Sequence, residues 1–168
     1  MPDLLLLRHA KSDWHSAARR DLDRPLNPRG RAAARAIGAH LATLAPIDEV
    51  WASPATRVAE TLEEVRASCP ALPRPEVVPA LYGADPATLL ELAAHARAPR
   101  LLLVGHNPSM QALAALLTRG DEGPLRDRLA DKYPTAALAE IRLEADWSAL
   151  GPRAAGRLVR FVRPRDLG

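Results

Sequence analysis

Short, unbroken aliphatic runs separated by longer alanine-rich stretches set the architecture of this chain. Asp3–Leu7 (DLLLL) and Arg100–Val104 (RLLLV) are each apolar at four consecutive positions, Leu4–Leu7 and Leu101–Val104. A strand apolar on both sides of its pleat has to be covered on both faces of its sheet. Glu49–Ala52 is a third strand, and Glu76–Val78 is a short one inside the proline-rich stretch Pro70–Pro79. The intervening segments carry helix punctuation. Asn27 caps a helix with Pro28 at its first position, and apolar residues recur through Ala33, Ile37, Leu41 and Leu44 until Pro46. Ser53 is expected to cap a second helix, with Pro54 first, running to about Ser68. Asp85-Pro86 opens a third helix to about Ala96, and Asn107-Pro108 a fourth to about Leu117. Gly120–Pro134 is a polar loop or an irregular helical excursion. Ala137–Leu143 and Arg157–Val162 close the chain as two antiparallel strands. Alternating strands and helices predict a three-layer α/β/α sandwich, with a mostly parallel sheet and an antiparallel edge strand. At 168 residues, this is expected to be a single domain, 1–168.

Several classes fall away. Cys69 is the only cysteine, which excludes an internal disulfide and a thiolate zinc site. The run Leu4–Leu7 is too short for a membrane span, and nothing basic precedes it as in a signal peptide. The expectation is a soluble, cytoplasmic protein with no membrane partner. Net charge is +3, and all but two of the 23 Lys and Arg residues are arginine, Lys11 and Lys132 being the exceptions. With aromatics at 4% and acids nearly matching bases, no nucleic acid partner is expected. There is no HExxH pair, P-loop or dinucleotide-binding glycine pattern, so neither metal nor cofactor is expected.

Chemistry collects where strands end. The first strand runs into Arg8-His9-Ala10, the second into Ser53-Pro54 with Arg57 beyond, and the long aliphatic strand into Gly105-His106-Asn107. In an open α/β sheet, ligands sit beyond the carboxyl ends of the strands. Two histidines and two arginines would meet there beside helix N-termini, an inventory suited to a phosphoryl group. Histidine flanked by arginines resists protonation, so its imidazole stays neutral and nucleophilic. Arg8 and Arg57 would hold the equatorial oxygens of the transferring group, and a second histidine can donate to the same oxygens.

These residues sit in longer motifs: RHAKSDW (Arg8–Trp14), DRPLNPRG (Asp23–Gly30), SPATRVAETL (Ser53–Leu62), LYGAD (Leu81–Asp85), VGHNPS (Val104–Ser109) and PTAALA (Pro134–Ala139). In order and content the set resembles the histidine phosphatase superfamily, with its phosphoglycerate-mutase-like fold. It is most similar to the small SixA-type phosphohistidine phosphatases. The resemblance implies that His9 is the nucleophile that becomes phosphorylated. It implies that Arg8, Arg57 and His106 complete the phosphate pocket and that Arg24 adds a further phosphate contact.

Two positions depart from the pattern. Ala10 stands where the superfamily usually has glycine, at a cost of about 1 kcal/mol only if its φ is positive. Asp85 is the one acid near the usual place of a general acid, and the N-cap of the following helix is its simpler role. A missing acid suits phosphohistidine, whose imidazole leaves readily, better than an alkyl ester. Lys11, Ser12 and Trp14 are expected to line the entrance or pack on the next loop, and His15, His40 and His95 to lie on solvated faces or loops. The expected function is metal-independent hydrolysis of phosphohistidine or phosphate monoesters through phosphorylated His9. The expected partner is a phosphorylated protein, such as a phosphotransfer domain, or a small phosphorylated metabolite. The alternatives are a small-molecule phosphomonoesterase on the same site and a non-catalytic phosphate-binding docking module.

Overall fold

The computed structural model describes residues 1–168. Its six strands are β1 (Asp3–Arg8), β2 (Glu49–Ala52), β3 (Glu76–Val77), β4 (Arg100–Gly105), β5 (Leu138–Leu143) and β6 (Gly156–Val162). They form one sheet in the order β3-β2-β4-β1-β5-β6. β1, β2, β3 and β4 are parallel, and β5 pairs antiparallel with β1. The edge strand β6 is antiparallel to β5, as expected. Because β5 is itself reversed, β6 runs in the same sense as β1.

Five helices cover the sheet: α1 (Pro28–Leu41), α2 (Thr56–Ser68), α3 (Pro86–Ala93), α4 (Ser109–Leu117) and α5 (Pro124–Asp131). The leucine run explains the layering. Leu5 and Leu7 pack with Ile37 and Leu41 of α1 and Val58, Leu62 and Val65 of α2. Leu4 and Leu6 pack with Leu89 of α3, Leu113 of α4 and Leu129 of α5. All four strand leucines are fully buried, each stabilising the fold by roughly 1.5–3 kcal/mol relative to an exposed one. On the first face the helices approach closely. A Cβ on Gly38 of α1 would lie 2.3 Å from the Val65 carbonyl oxygen of α2, and one on Gly30 would lie 2.1 Å from the Lys11 carbonyl oxygen.

Asn27 and Asp85 cap α1 and α3, accepting from Gly30 N–H and Thr88 N–H at 2.8 Å each. Ser53 does not cap α2, which starts at Thr56 with Ala55 in the cap position. Ser53 N–H instead continues the sheet ladder to the Val104 carbonyl, and its hydroxyl is taken by His106. The polar stretch after Gly120 contains a true helix, α5, with Pro124 in its first turn. At the sheet's opposite end, buried Asp3 and Glu140 are held by Arg100, Arg142 and Arg160, the pairing that a buried charge demands. No helix is long and apolar enough to cross a membrane.

The chain leaves β1 for α1 on one face and leaves β4 for α4 on the other, so a crevice opens between the ends of these adjacent strands. Their register pairs Arg8 with Gly105. The next residues along, His9 and His106, emerge side by side.

Candidate active site

His9 is 7% exposed. Its Nδ1 lies 2.7 Å from the Ala10 carbonyl oxygen, so Nδ1 carries the proton and donates it there. That leaves Nε2 with its lone pair free, accepting weakly from Arg57 Nε–H at 3.3 Å. The partner of one ring nitrogen fixes the role of the other. Burial pushes the His9 pKa down to about 3, and the charges of Arg57, His106 and Arg8 add to the shift against the opposing Ala10 bond. Burial thus outweighs the arginine effect expected from the sequence, with the same outcome: a neutral imidazole at neutral pH.

His106 stands next to it, with ring centroids 5.4 Å apart. Its Nε2–H donates to Ser53 Oγ at 2.7 Å, and Nδ1 accepts from Arg57 at 3.4 Å. Burial first, then Arg57, lowers its pKa to about 4. Ser53 is therefore a positioning residue for His106. Thr61 performs a similar service one turn into α2. Its hydroxyl accepts from Ala10 N–H at 2.9 Å and donates to the Arg57 carbonyl at 2.6 Å, tying the His9 segment to the arginine's helix. Ala10 costs nothing in backbone strain, since Ala136 is the only non-glycine residue with positive φ (61°). Ala136 is fully buried, and its N–H bridges the carbonyls of Arg8 and His9 at 3.0 Å. An unusual backbone conformation at such a place is typical of a site whose surroundings over-determine it.

Arg8 donates to the Tyr133 carbonyl at 2.9 Å, while its buried Nε has no partner. Burial lowers its pKa from the ordinary value, though a guanidinium stays charged at any physiological pH. Arg57 is 5% exposed and Arg24 is 9% exposed. Arg24 donates to Ser12 Oγ and lies 3.5 Å over the ring of Trp14. The structure therefore brings Arg8, His9, Arg24, Arg57 and His106 to one cleft of about 680 Å³. Lys11, Ser12 and Trp14 line it too. Asp85 does not, and stays an exposed helix cap.

Sequence reasoning passed over Asp21, the only acid in the cleft wall. It sits in a 3₁₀ turn, Asp21–Asp23, between β1 and α1. Its carboxylate accepts from Arg24 at 2.7 Å, Tyr82 Oη–H at 2.8 Å and Arg57 at 2.9 Å, and its carbonyl accepts a second Arg57 bond at 2.7 Å. These bonds hold its pKa far below the usual carboxylate range, Arg24 contributing most. Asp21 thus engages donors that a phosphoryl group would use. No group of three or more His, Cys, Asp or Glu side chains is placed to hold a metal ion.

The model of the histidine phosphatase superfamily (branch 1) matches residues 4–82. An uncharacterized protein of Mycobacterium tuberculosis is 37% identical over 164 residues, covering 95% of this chain and all of that one. Among solved structures, a Nakamurella multipartitia protein assigned as phosphohistidine phosphatase SixA superposes with a TM-score of 0.82 at 28% identity, covering 97% of this chain and 96% of its own. The protein histidine phosphatase SixA complexed with tungstate superposes at 0.75 with 27% identity, covering 99% of both chains. Paired histidines at the ends of two adjacent parallel strands, the arginines around them and these likenesses agree: the chain belongs to the histidine phosphatase superfamily.

Proposed function

We propose that this chain hydrolyses phosphohistidine on a partner protein, in two displacements through His9. The observation that carries the reading is the state of His9: neutral, Nδ1–H tied to the Ala10 carbonyl, and Nε2 open in a basic cleft. In the first step Nε2 attacks phosphorus, and the bond from phosphorus to the substrate nitrogen breaks. The electron pair goes to that nitrogen, and a ring already protonated on its other nitrogen leaves as neutral imidazole. Arg8, Arg57 and Arg24 bind the phosphoryl oxygens, and His106 faces the same group from β4. Charge on the transferring oxygens is where such a site accelerates reaction. Phosphorylated His9 keeps Nδ1–H, so its ring is cationic and its bond to phosphorus is labile. Water then attacks phosphorus, the pair returns to Nε2, and inorganic phosphate forms.

Two features favour phosphohistidine over an alkyl ester. Asp21 is held ionised by Arg24, Tyr82 and Arg57, so it has no proton to give a leaving alkoxide. Trp14 (75% exposed) and Tyr82 (39% exposed) stand on the cleft wall, with ring area for a flat leaving group. The similarity to SixA structures, one of them complexed with the oxyanion tungstate, points the same way.

Phosphate release from a phosphohistidine protein and from an aryl phosphate, with wild type and His9→Ala in the presence of a chelator, tests this. The expected result is faster turnover of the phosphohistidine, lost in the variant and indifferent to chelator. Turnover of small phosphate esters alone would assign the site to a phosphomonoesterase. Phosphate binding with no turnover of either would assign it to a docking module.

A further inference from the structure

Beside the phosphate cleft lies a second concavity of about 410 Å³. The two share one wall, formed by Lys11, Lys132, Pro134 and Thr135. That wall holds both lysines of the chain. Arg29 and Arg165 line this concavity but not the phosphate cleft. These four cations come from four separate places. Lys11 follows β1, Arg29 is in the first turn of α1, Lys132 follows α5, and Arg165 lies in the C-terminal 3₁₀ turn, Pro164–Leu167, which packs on α1.

Their gathering around one concavity with no acid paired to any of them sets them apart. Arg20, Arg31, Arg35, Arg100, Arg142 and Arg160 each have an acidic partner within salt-bridge distance. Lys11, Arg29, Lys132 and Arg165 have none, and all four are exposed. Arg163 in the same concavity is already engaged by Asp166, and Asp131 is the one acid lining it. Unpaired like charges gathered on a concave surface repel one another. They also focus a field that raises the local concentration of anions. A solvated surface gains nothing from gathering them around one hollow.

We infer that this concavity is a second anion subsite, which takes another phosphate or carboxylate of the molecule whose phosphoryl group occupies the His9 cleft. The inference rests on the phosphatase reading and names its substrate class: a phosphorylated compound with a second acidic group. Two sources share that chemistry, an acidic side chain flanking the phosphohistidine of a carrier protein and a small metabolite with two acidic groups.

The test needs no turnover. Calorimetry at low ionic strength compares methylphosphonate with alkane bisphosphonates of two to six methylenes, on wild type and on Arg29→Ala/Arg165→Ala. Both substituted residues are exposed and unpaired, so folding is not at stake. At least one bisphosphonate should bind wild type tenfold or more tightly than methylphosphonate does. The double variant should lose that advantage and keep its methylphosphonate affinity. An advantage no larger than the statistical twofold in wild type, or one that persists in the variant, overturns the subsite. Absence of phosphate release from both the phosphohistidine protein and the aryl phosphate would count against the phosphatase reading alone, since bisphosphonate binding is read independently of it. Peptides carrying a non-hydrolysable phosphohistidine analogue between glutamates, or between alanines, then separate the sources. Preference for glutamate places the second anion on a protein, and equal binding places it on a small metabolite.

Discussion

Replacing Asp21 with asparagine should tighten the binding of inorganic phosphate. In the free protein the Asp21 carboxylate takes hydrogen bonds from Arg24, Arg57 and Tyr82 at 2.7–2.9 Å. An incoming phosphate dianion has to win Arg57 and Arg24 away from it. The Asp21 side chain is 48% exposed, so both ion pairs are screened by solvent. Discounted for that, each contributes about 0.5–1 kcal/mol, and the tyrosine bond to a charged acceptor about 1 kcal/mol more. Asparagine keeps the shape and one acceptor, which retains the tyrosine bond, but not the charge, so the roughly 1–2 kcal/mol of competition from the two ion pairs disappears. At about 1.4 kcal/mol per factor of ten, the Kd for orthophosphate should fall about 5- to 30-fold. Calorimetry at fixed ionic strength measures it directly, and a parallel fall in KM for an aryl phosphate would follow. Unchanged or weaker phosphate binding in Asp21→Asn would refute the reasoning. It would show that the carboxylate holds the two arginines in place rather than competing for them.

Other expectations follow from the same geometry. The pKa values of His9 and His106, lowered to about 3 and about 4, mean that the unfolded chain binds more protons between those values and pH 6.5. Stability should therefore fall as pH drops through that window, by about 1–2 kcal/mol per histidine between pH 6.5 and 5. Urea titrations in phosphate-free buffer should show this slope, and His9→Ala/His106→Ala should flatten it. Ser53→Ala removes the bond that orients His106. It should lower kcat/KM about 10- to 100-fold, equivalent to roughly 1.4–2.8 kcal/mol, with Tm changed little and activity partly retained in Ser53→Thr. Gly30→Ala drives a Cβ against the Lys11 backbone, and chemical denaturation should show a loss of about 1–3 kcal/mol accompanied by reduced activity.

The sheet was legible because buried parallel strands leave an uninterrupted aliphatic record. Leu4–Leu7 and Leu101–Val104 have no other place in a fold of this size. Arg8, His9, Arg57 and His106 were legible because each lies at or just beyond a strand end, where backbone position alone predicts convergence. Asp21 was not, since an acid in an irregular loop has no periodicity and its partners are reached only by folding. Ser53 showed the limit of local rules. A serine before a proline and a helix reads as an N-cap, yet the Ser53 hydroxyl accepts from His106 and from Ala55 N–H, and the helix starts only at Thr56. Thr61 carried no signal beyond one polar residue on a buried helical face.

The juxtaposition of His9 and His106 follows from the hydrogen-bonded register of β1 against β4, at the buried centre of the sheet, whereas the surrounding rim comes from connecting segments. Reaction and recognition are thus carried by separable stretches of chain, and substrate preference can drift with little effect on the chemistry. A library randomised at Lys11, Trp14, Tyr82 and Lys132, with the strands untouched, is accordingly a route to phosphatases of altered preference that still react through the same imidazole.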